Sequence, residues 1–304
     1  MAVMNSRVPL SRFADSIQPK DAPMQVSNRS IGELICETRD LTQFQVEQIL
    51  AYQRRHRVRF GEAAVALKLA TSDDVLRALS RQFHYAYSPE PLQGEKHGEL
   101  VVAANPFSDE AEAFRDLRSQ LMMGALAGDL PRRALAILSP DVGDGKTYIA
   151  ANLAVAFSQL GGRTLLVDAD MRTPRQHHLF DLDQPCGLSN VLSGRAEGSA
   201  VHQAKHLPSL YVMPVGTVPP NPLELLQRPA FGLLLKELLA KFDHVVVDTP
   251  AAVHGADARV IAAKSGAALV VGRKGRSRMG AMHDLLKKLG KGSAMVAGVV
   301  MNEH

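Results

Sequence analysis

Five side chains in this sequence could together handle a phosphoryl group: Lys146, Thr147, Asp168, Asp170 and Asp248. Lys146 and Thr147 follow a glycine-bearing loop, Asp141-Val142-Gly143-Asp144-Gly145. Backbone N–H groups of such a loop cradle phosphate oxygens, and a helix opening at Lys146 adds its positive end. The Lys146 ammonium can reach β- and γ-phosphates, and the Thr147 hydroxyl can hold Mg²⁺. In the pattern G-x-x-x-x-G-K-[ST] the first glycine falls at Pro140, so the spelling alone is incomplete and its context must support it. The bland alternative is a glycine-rich turn with no ligand.

The context is a set of strands. Leu135–Leu138 reads as a buried strand before the loop, and the helix after it carries Ile149, Leu153, Ala156, Phe157 and Leu160 on one expected apolar face. The run TLLVDADMR, Thr164–Arg172, is an apolar strand ending in Asp168 and Asp170; HVVVDTPA, His244–Ala251, is another ending in Asp248. Parallel strands buried on both faces read as continuous apolar runs, and ligands gather at their carboxyl ends. A lone aspartate at a strand end is usually a cap. Three of them around a phosphate loop suit Mg²⁺, which takes oxygen ligands and keeps several waters. Further strands are expected at Leu210–Pro214, Ala267–Val271 and Ala294–Met301, the last followed by Asn302. Helices are expected at 109–126, from the Pro-rich loop after Val215 to about Lys241, at Asp257–Ala263 and at Met279–Leu289. Strands alternating with helices over this length give a doubly wound, mostly parallel α/β sheet, the architecture of a P-loop NTPase.

The totals fit that class. The chain has 304 residues, 46% hydrophobic and 22% charged, with two cysteines, Cys36 and Cys186. Two cysteines are too few for a disulfide framework and fit a reducing compartment. No apolar run reaches about 18 residues, so no membrane span and no signal peptide are expected. The formal net charge of +4 is mildly basic. With no Trp and few aromatics, nucleic-acid stacking has no platform, and no nucleic-acid partner is expected.

Ahead of the phosphate-loop domain, residues 1–27 read as a flexible polar arm, residues 28–88 as a small helical domain, and residues 89–108 as a linker with one short extended piece near Leu100–Ala104. The phosphate-loop domain itself is expected over 109–304. The helical domain is an internal repeat: Ser30–Gln53 aligns with Arg59–Gln82, each copy a short helix, a turn and a second helix capped at Thr42 or Thr71. The helix from Asp109, which Asp109 could cap, carries Phe114, Leu117 and Leu121 on its apolar stripe. Glu112, Arg115 and Arg118 line another face, ordinarily a solvated one.

The domain resembles the bacterial tyrosine kinases that control exopolysaccharide chain length. VDADMR (Val167–Arg172) resembles their Walker A′ box, VVVDTPA (Val245–Ala251) their Walker B strand, and EAFRDLR (Glu112–Arg118) their E-x-x-R-x-x-R helix. RTPRQHHLF, GLSNVLSG and GTVPPNPLELL are similar to family segments. The resemblance implies an ATP- and Mg²⁺-dependent protein tyrosine kinase. The loop with Tyr148 after it would hold the nucleotide, and Asn302 would contact adenine. Thr147, Asp168 and Asp248 would be metal ligands, Asp168 a base, Asp170 its support, and Arg172 a γ-phosphate contact or a partner of Asp170. It implies a homo-oligomer, a ring through Glu112, Arg115 and Arg118, and a cytoplasmic location peripheral to the inner membrane through a membrane-embedded polysaccharide co-polymerase. MinD/ParA-type ATPases share the Walker A′ box, but their signature Lys is replaced here by Asp141. A tyrosine-rich tail is usual in the family. The five tyrosines here are Tyr52, Tyr85, Tyr87, Tyr148 and Tyr211, so a non-phosphorylating ATPase switch or scaffold stays open as the alternative.

The N-terminal repeat resembles the MshEN-type domain of type II secretion and pilus ATPases, some of which bind cyclic di-GMP. Together the two resemblances imply an Eps-type cytoplasmic kinase component. Arg59, Gly61, Gln82, Gly32 and Gln53 match the MshEN pattern, whereas Ser30, Arg39 and Lys68 depart from it. The resemblance implies cyclic di-GMP contacts at Arg59, Gly61, Gln53 and Gln82; the plainer reading is a protein-interaction module.

Overall fold

The structure, a computed structural model, describes residues 30–71, 74–75, 77–78, 98–183, 186–196 and 198–303. The expected arm at 1–27, linker residues 89–97 and Gln82 lie outside the described residues. The chain divides into two compact units, one within Pro19–Tyr87 and the other within Ser88–His304.

The smaller unit holds α1 (Ile31–Arg39), α2 (Gln43–His56) and α3 (Phe60–Ala66). Ser30 and Thr42 close capping boxes with Glu33 and Gln45, and Thr71 and Asp74 repeat the exchange in the second copy. The helices bury Leu34, Ile35, Ile49, Ala63 and Ala64 between them, the core that one copy could not make alone.

The larger unit is built on a seven-stranded sheet of order β3-β4-β2-β5-β1-β6-β7. Its strands are β1 (Ala134–Leu138), β2 (Thr164–Asp168), β3 (His202–Gln203), β4 (Leu210–Met213), β5 (His244–Asp248), β6 (Gly266–Arg273) and β7 (Met295–Asn302). All pairings are parallel except β3 with β4. Alternation along the strands divides the core. Leu135, Ile137, Leu166, Val246 and Leu269 face α4 (Val101–Ala104), α5 (Asp109–Met123) and α6 (Lys146–Ser158). Ala136, Leu138, Leu165, Val167, Val247 and Val270 face the other layer. That layer contains α8 (Leu188–Ser193), α9 (Pro222–Gln227), α10 (Pro229–Lys241), α11 (Asp257–Ser265) and α12 (Met279–Leu289); the remaining helix is α7 (Gln176–Leu179). Covering both faces explains why the strands carry no polar alternation.

Several local expectations are corrected. Helix α6 is buried along Ile149–Ser158, not on one face, and Leu160 lies beyond its end, 50% exposed. Leu100–Ala104 is not extended: Val101–Ala104 forms a helical turn. The Asn152 side chain accepts from Val102 N at 3.1 Å and donates to Glu99 O at 2.7 Å, which fixes this segment on α6. Ser108, not Asp109, caps α5, accepting from Ala111 N through its hydroxyl. The helix running to Lys241 is two helices. Arg228 takes ψ 150° because Pro229 excludes the α region for the residue before it. The two-residue β3 has no pattern long enough to be read from sequence.

Candidate active site

The order β2-β5-β1 sets the two aspartate-ending strands side by side next to the strand that feeds the loop. Asp168 pairs in register with Asp248, and Ile137 with Asp248. The loop turns between β1 and α6 with Gly143 at φ 82° and Gly145 at φ 97°, left-handed conformations natural to glycine. It is braced from within and from below. Asp144, fully buried, accepts from Asp141 N at 2.9 Å and from the Ser277 hydroxyl at 2.8 Å. Asn302 donates from Nδ2 to Asp144 O at 3.2 Å, and Arg273 donates to Gly143 O at 3.0 Å.

A cavity of about 690 Å³ opens on the loop. Val142, Gly143, Gly145, Lys146, Thr147, Tyr148, Arg273 and Asn302 line it on the loop side, and Glu99, Glu110, Asp170, Thr173 and Arg175 elsewhere. Lys146 is buried at its base, 6% exposed. Burial raises the Tyr148 hydroxyl to about 12, with Glu110 and Glu99 adding to the shift. Because a Cβ on Gly145 would sit 2.1 Å from Asn302 Nδ2, Gly145→Ala must displace Asn302 and strain a left-handed residue. It is expected to weaken ATP binding about tenfold or more, an energy of roughly 1.4 kcal/mol; titration calorimetry with ATP would show whether it does.

The carboxylates divide by their partners. Asp168 is fully buried and accepts three backbone N–H groups: Asp170 on Oδ1 at 3.1 Å, Arg175 and Gln176 on Oδ2 at 3.2 and 3.1 Å. Burial, with Asp248 opposite, nevertheless pushes its carboxyl well above the ordinary range. Asp248 is raised to about 6 by burial, while the Lys146 charge and the donors Gln176 and Thr147 pull the other way. Asp170 holds its own loop, accepting from Arg172 N, Thr173 N and the Thr173 hydroxyl. Arg172 corrects an expectation. Its side chain pairs neither with Asp170 nor with the cavity wall but with buried Asp257 at the start of α11, Nε to Oδ2 at 2.6 Å.

Two oxygen atoms bear on Mg²⁺. Asp248 Oδ1 and Gln176 Oε1 are buried and have no hydrogen-bond partner. An orphaned carboxylate oxygen beside a threonine hydroxyl is a donor set suited to Mg²⁺ and its waters. Asp168 fits direct ligation less well, since three backbone N–H groups already occupy it. Among the described residues no cluster of three or more His, Cys, Asp or Glu forms a cage, so the fit is to a metal held mainly by Thr147, waters and phosphate oxygens.

Gln176 escaped the sequence reading. Wholly buried, it donates from Nε2 to Asp248 Oδ2 at 2.9 Å and to Thr147 O at 3.1 Å. Its signal was positional: α7 opens at Gln176 over the end of β2. Arg273 and Ser277 were missed as well, because the turn after β6 lies far from the loop in sequence.

The residues placed outside the cavity have ordinary local partners. Glu112 pairs with Arg115 at 2.7 Å, Arg115 also reaches Pro106 O, and Arg118 donates to Ala156 O at 2.7 Å at the end of α6. In the smaller unit Arg59 N donates to the Glu62 carboxylate, and Gly61 packs so tightly that a Cβ would meet Val75 Cγ1 at 2.7 Å. Gln53 lies on α2, part-buried.

Residues 135–304 match the family model described as the CobQ/CobB/MinD/ParA nucleotide binding domain. Tyrosine-protein kinase YwqD of Bacillus subtilis (strain 168) is 31% identical over 203 residues, 67% of this chain and 85% of that protein. The chain belongs to the bacterial tyrosine kinases. Tyrosine-protein kinase wzc of Salmonella typhimurium is 32% identical over 207 residues, covering 68% of this chain but only 28% of wzc. The kinase domain of Escherichia coli tyrosine kinase ETK superposes with a TM-score of 0.63 at 29% identity, covering 67% of this chain and 79% of that domain. In this chain Lys146–Thr147, Asp168, Asp170 and Asp248 all fall within the residues that the family model matches. Among its described residues no helix is long and apolar enough to cross a membrane.

Proposed function

We propose that the chain is an ATP- and Mg²⁺-dependent protein tyrosine kinase acting in exopolysaccharide polymerisation and export. The observation that carries this is the in-register pair Asp168–Asp248, tied to the Lys146–Thr147 loop by Gln176 and by the Lys146 charge acting on Asp248. Phosphoryl transfer needs positioning and charge neutralisation more than covalent chemistry. Within the loop Asp141–Gly145 the N–H groups after Asp141, whose own N–H goes to Asp144, hold the β-phosphate, and Lys146 neutralises charge shared with the γ-phosphate. Mg²⁺, held by Thr147 and by Asp248 directly or through water, would supply charge neutralisation across the β- and γ-phosphates. Asp168 takes the proton of the acceptor hydroxyl. Burial, with Asp248 opposite, raises its carboxyl well above the ordinary range, which makes it a stronger base than an exposed carboxylate. Asp170 keeps the Walker A′ loop in place. Asn302, which donates to Asp144 O of the P-loop, is the adenine contact in this reading.

The partner we infer is a membrane-embedded polysaccharide co-polymerase that brings a cytoplasmic, homo-oligomeric kinase to the inner membrane. A ring through Glu112, Arg115 and Arg118 and cyclic di-GMP binding by an MshEN-like repeat belong to this reading. For the latter, Gly61 serves packing and Arg59 stands at the start of α3. The test is incubation of purified protein with Mg-ATP, with and without the partner's cytoplasmic segment, followed by phosphopeptide mass spectrometry. Phosphotyrosine dependent on Lys146 is expected. ATP hydrolysis without phosphotyrosine under both conditions would replace the kinase with an ATPase switch.

A further inference from the structure

We infer that Gln176 is a positioning residue for the metal, fastening Thr147 and Asp248 together and taking a hydrogen bond from metal-bound water. This rests on the ATP and Mg²⁺ reading of the phosphate-loop site: Thr147 lines the cavity, while Gln176 and Asp248 are wholly buried behind its wall. Gln176 is wholly buried, and its amide orientation is dictated by its neighbours. Thr147 O and Asp248 Oδ2 are both acceptors, at 3.1 and 2.9 Å, so the nitrogen must face them. The oxygen is then turned to a place where no protein donor meets it. Asp248 Oδ1 is orphaned in the same way. A buried amide or carboxylate oxygen without a donor is costly and demands an explanation. One missing species explains both: a group of water donors on a cation that retains its hydration, as Mg²⁺ does.

The Gln176 backbone strengthens the assignment. Its N–H donates to Asp168 Oδ2. One residue thus touches the base candidate through its main chain, and the metal aspartate and the P-loop threonine through its side chain. Those contacts span β2, β5 and α6, the elements whose relative placement fixes where the metal sits. Outer partners of this kind orient the groups that ligate, and their loss typically costs about 10- to 100-fold in metal affinity or activity.

The test uses the full chain and a fluorescent ADP, titrated with Mg²⁺ from an EDTA baseline. Gln176→Leu keeps the shape and removes the polar groups; Gln176→Met does so with a flexible chain, in case the leucine does not fold. The Mg²⁺ concentration giving half of the metal-dependent gain in ADP affinity is expected to rise about 10- to 100-fold in either variant. ADP affinity in EDTA is expected to stay at the wild-type value. The Mg²⁺-dependent rise in unfolding temperature should shrink in parallel. An unchanged Mg²⁺ midpoint in a folded variant overturns the inference, as does an equal loss of ADP affinity in EDTA, which would make Gln176 a brace of the P-loop alone. Failure of the underlying reading looks different: the wild-type chain itself would then show no Mg²⁺-dependent ADP binding.

Discussion

Lys146→Ala is expected to lower phosphoryl transfer roughly 100- to 1,000-fold, the scale seen when one preorganised charge-stabilising donor is removed from a catalytic site. The side chain is 6% exposed, so its charge acts in a medium that screens poorly. Its loss acts twice. The γ-phosphate loses its cation, and Asp248 loses the positive charge that opposes its desolvation. With that charge gone, the Asp248 carboxyl moves further above 6 and less of it is ionised to hold metal at neutral pH. The variant should therefore need more Mg²⁺ as well as turn over slowly, and raising the pH should recover part of the metal dependence but little of the rate. Lys146→Arg is not expected to rescue: the guanidinium is a broad planar fork where the loop encloses a compact ammonium. Initial rates of ATP hydrolysis and of phosphotyrosine formation over a Mg²⁺ series would measure both effects. A variant that kept wild-type rates would place the phosphate contact elsewhere.

The parts of this site that were legible in the sequence are those carried by strand ends. Apolar runs closing on Asp168 and Asp248 announced buried parallel strands, and burial on both faces leaves few other ways to place such aspartates. The order β2-β5-β1, which makes the pair adjacent, is a tertiary fact with no local signal. The same holds for Arg172. The family resemblance implied a γ-phosphate contact or a pair with Asp170, but Asp257, 85 residues on, offers a buried carboxylate. Gln176 looked like one polar residue in a polar segment, and only the packing of α7 over β2 brings its amide to Asp248. Errors in helix reading have equally specific causes. Ala and small polar residues let α6 bury positions that a hydrophobic stripe would leave out. In the α4 turn, Asn152 supplies hydrogen bonds that make an otherwise strand-like VVAA run helical.

Asp248→Asn should move stability and activity in opposite directions. The folded-state carboxyl is raised to about 6, against an unfolded value of about 3.9. The folded chain therefore holds this proton more tightly than the unfolded chain does. That contribution is complete below the unfolded value and is lost as pH rises through the folded one. In nucleotide-free protein at neutral pH, ionised Asp248 thus destabilises the fold, by about 1–3 kcal/mol for a gap of roughly two units. Asparagine removes the charge while its amide oxygen can keep the bond from Gln176 Nε2, so the neutral variant should be more stable than wild type. The gap should widen from about pH 4 to about pH 6 and then level off, which urea unfolding without Mg²⁺ would trace. Mg-ATP should reverse the ranking, because only the carboxylate has the charge to hold the metal in place. Turnover is expected to fall about 100-fold, in line with the loss of a metal-organising group. A variant both less stable and less active across that range would mean that Asp248 serves packing rather than the metal. One both more stable and fully active would leave the charge on β5 without a function. The wild-type arrangement sets a buried carboxylate beside a second aspartate with the Lys146 ammonium opposing it, and a bound cation would complete that balance.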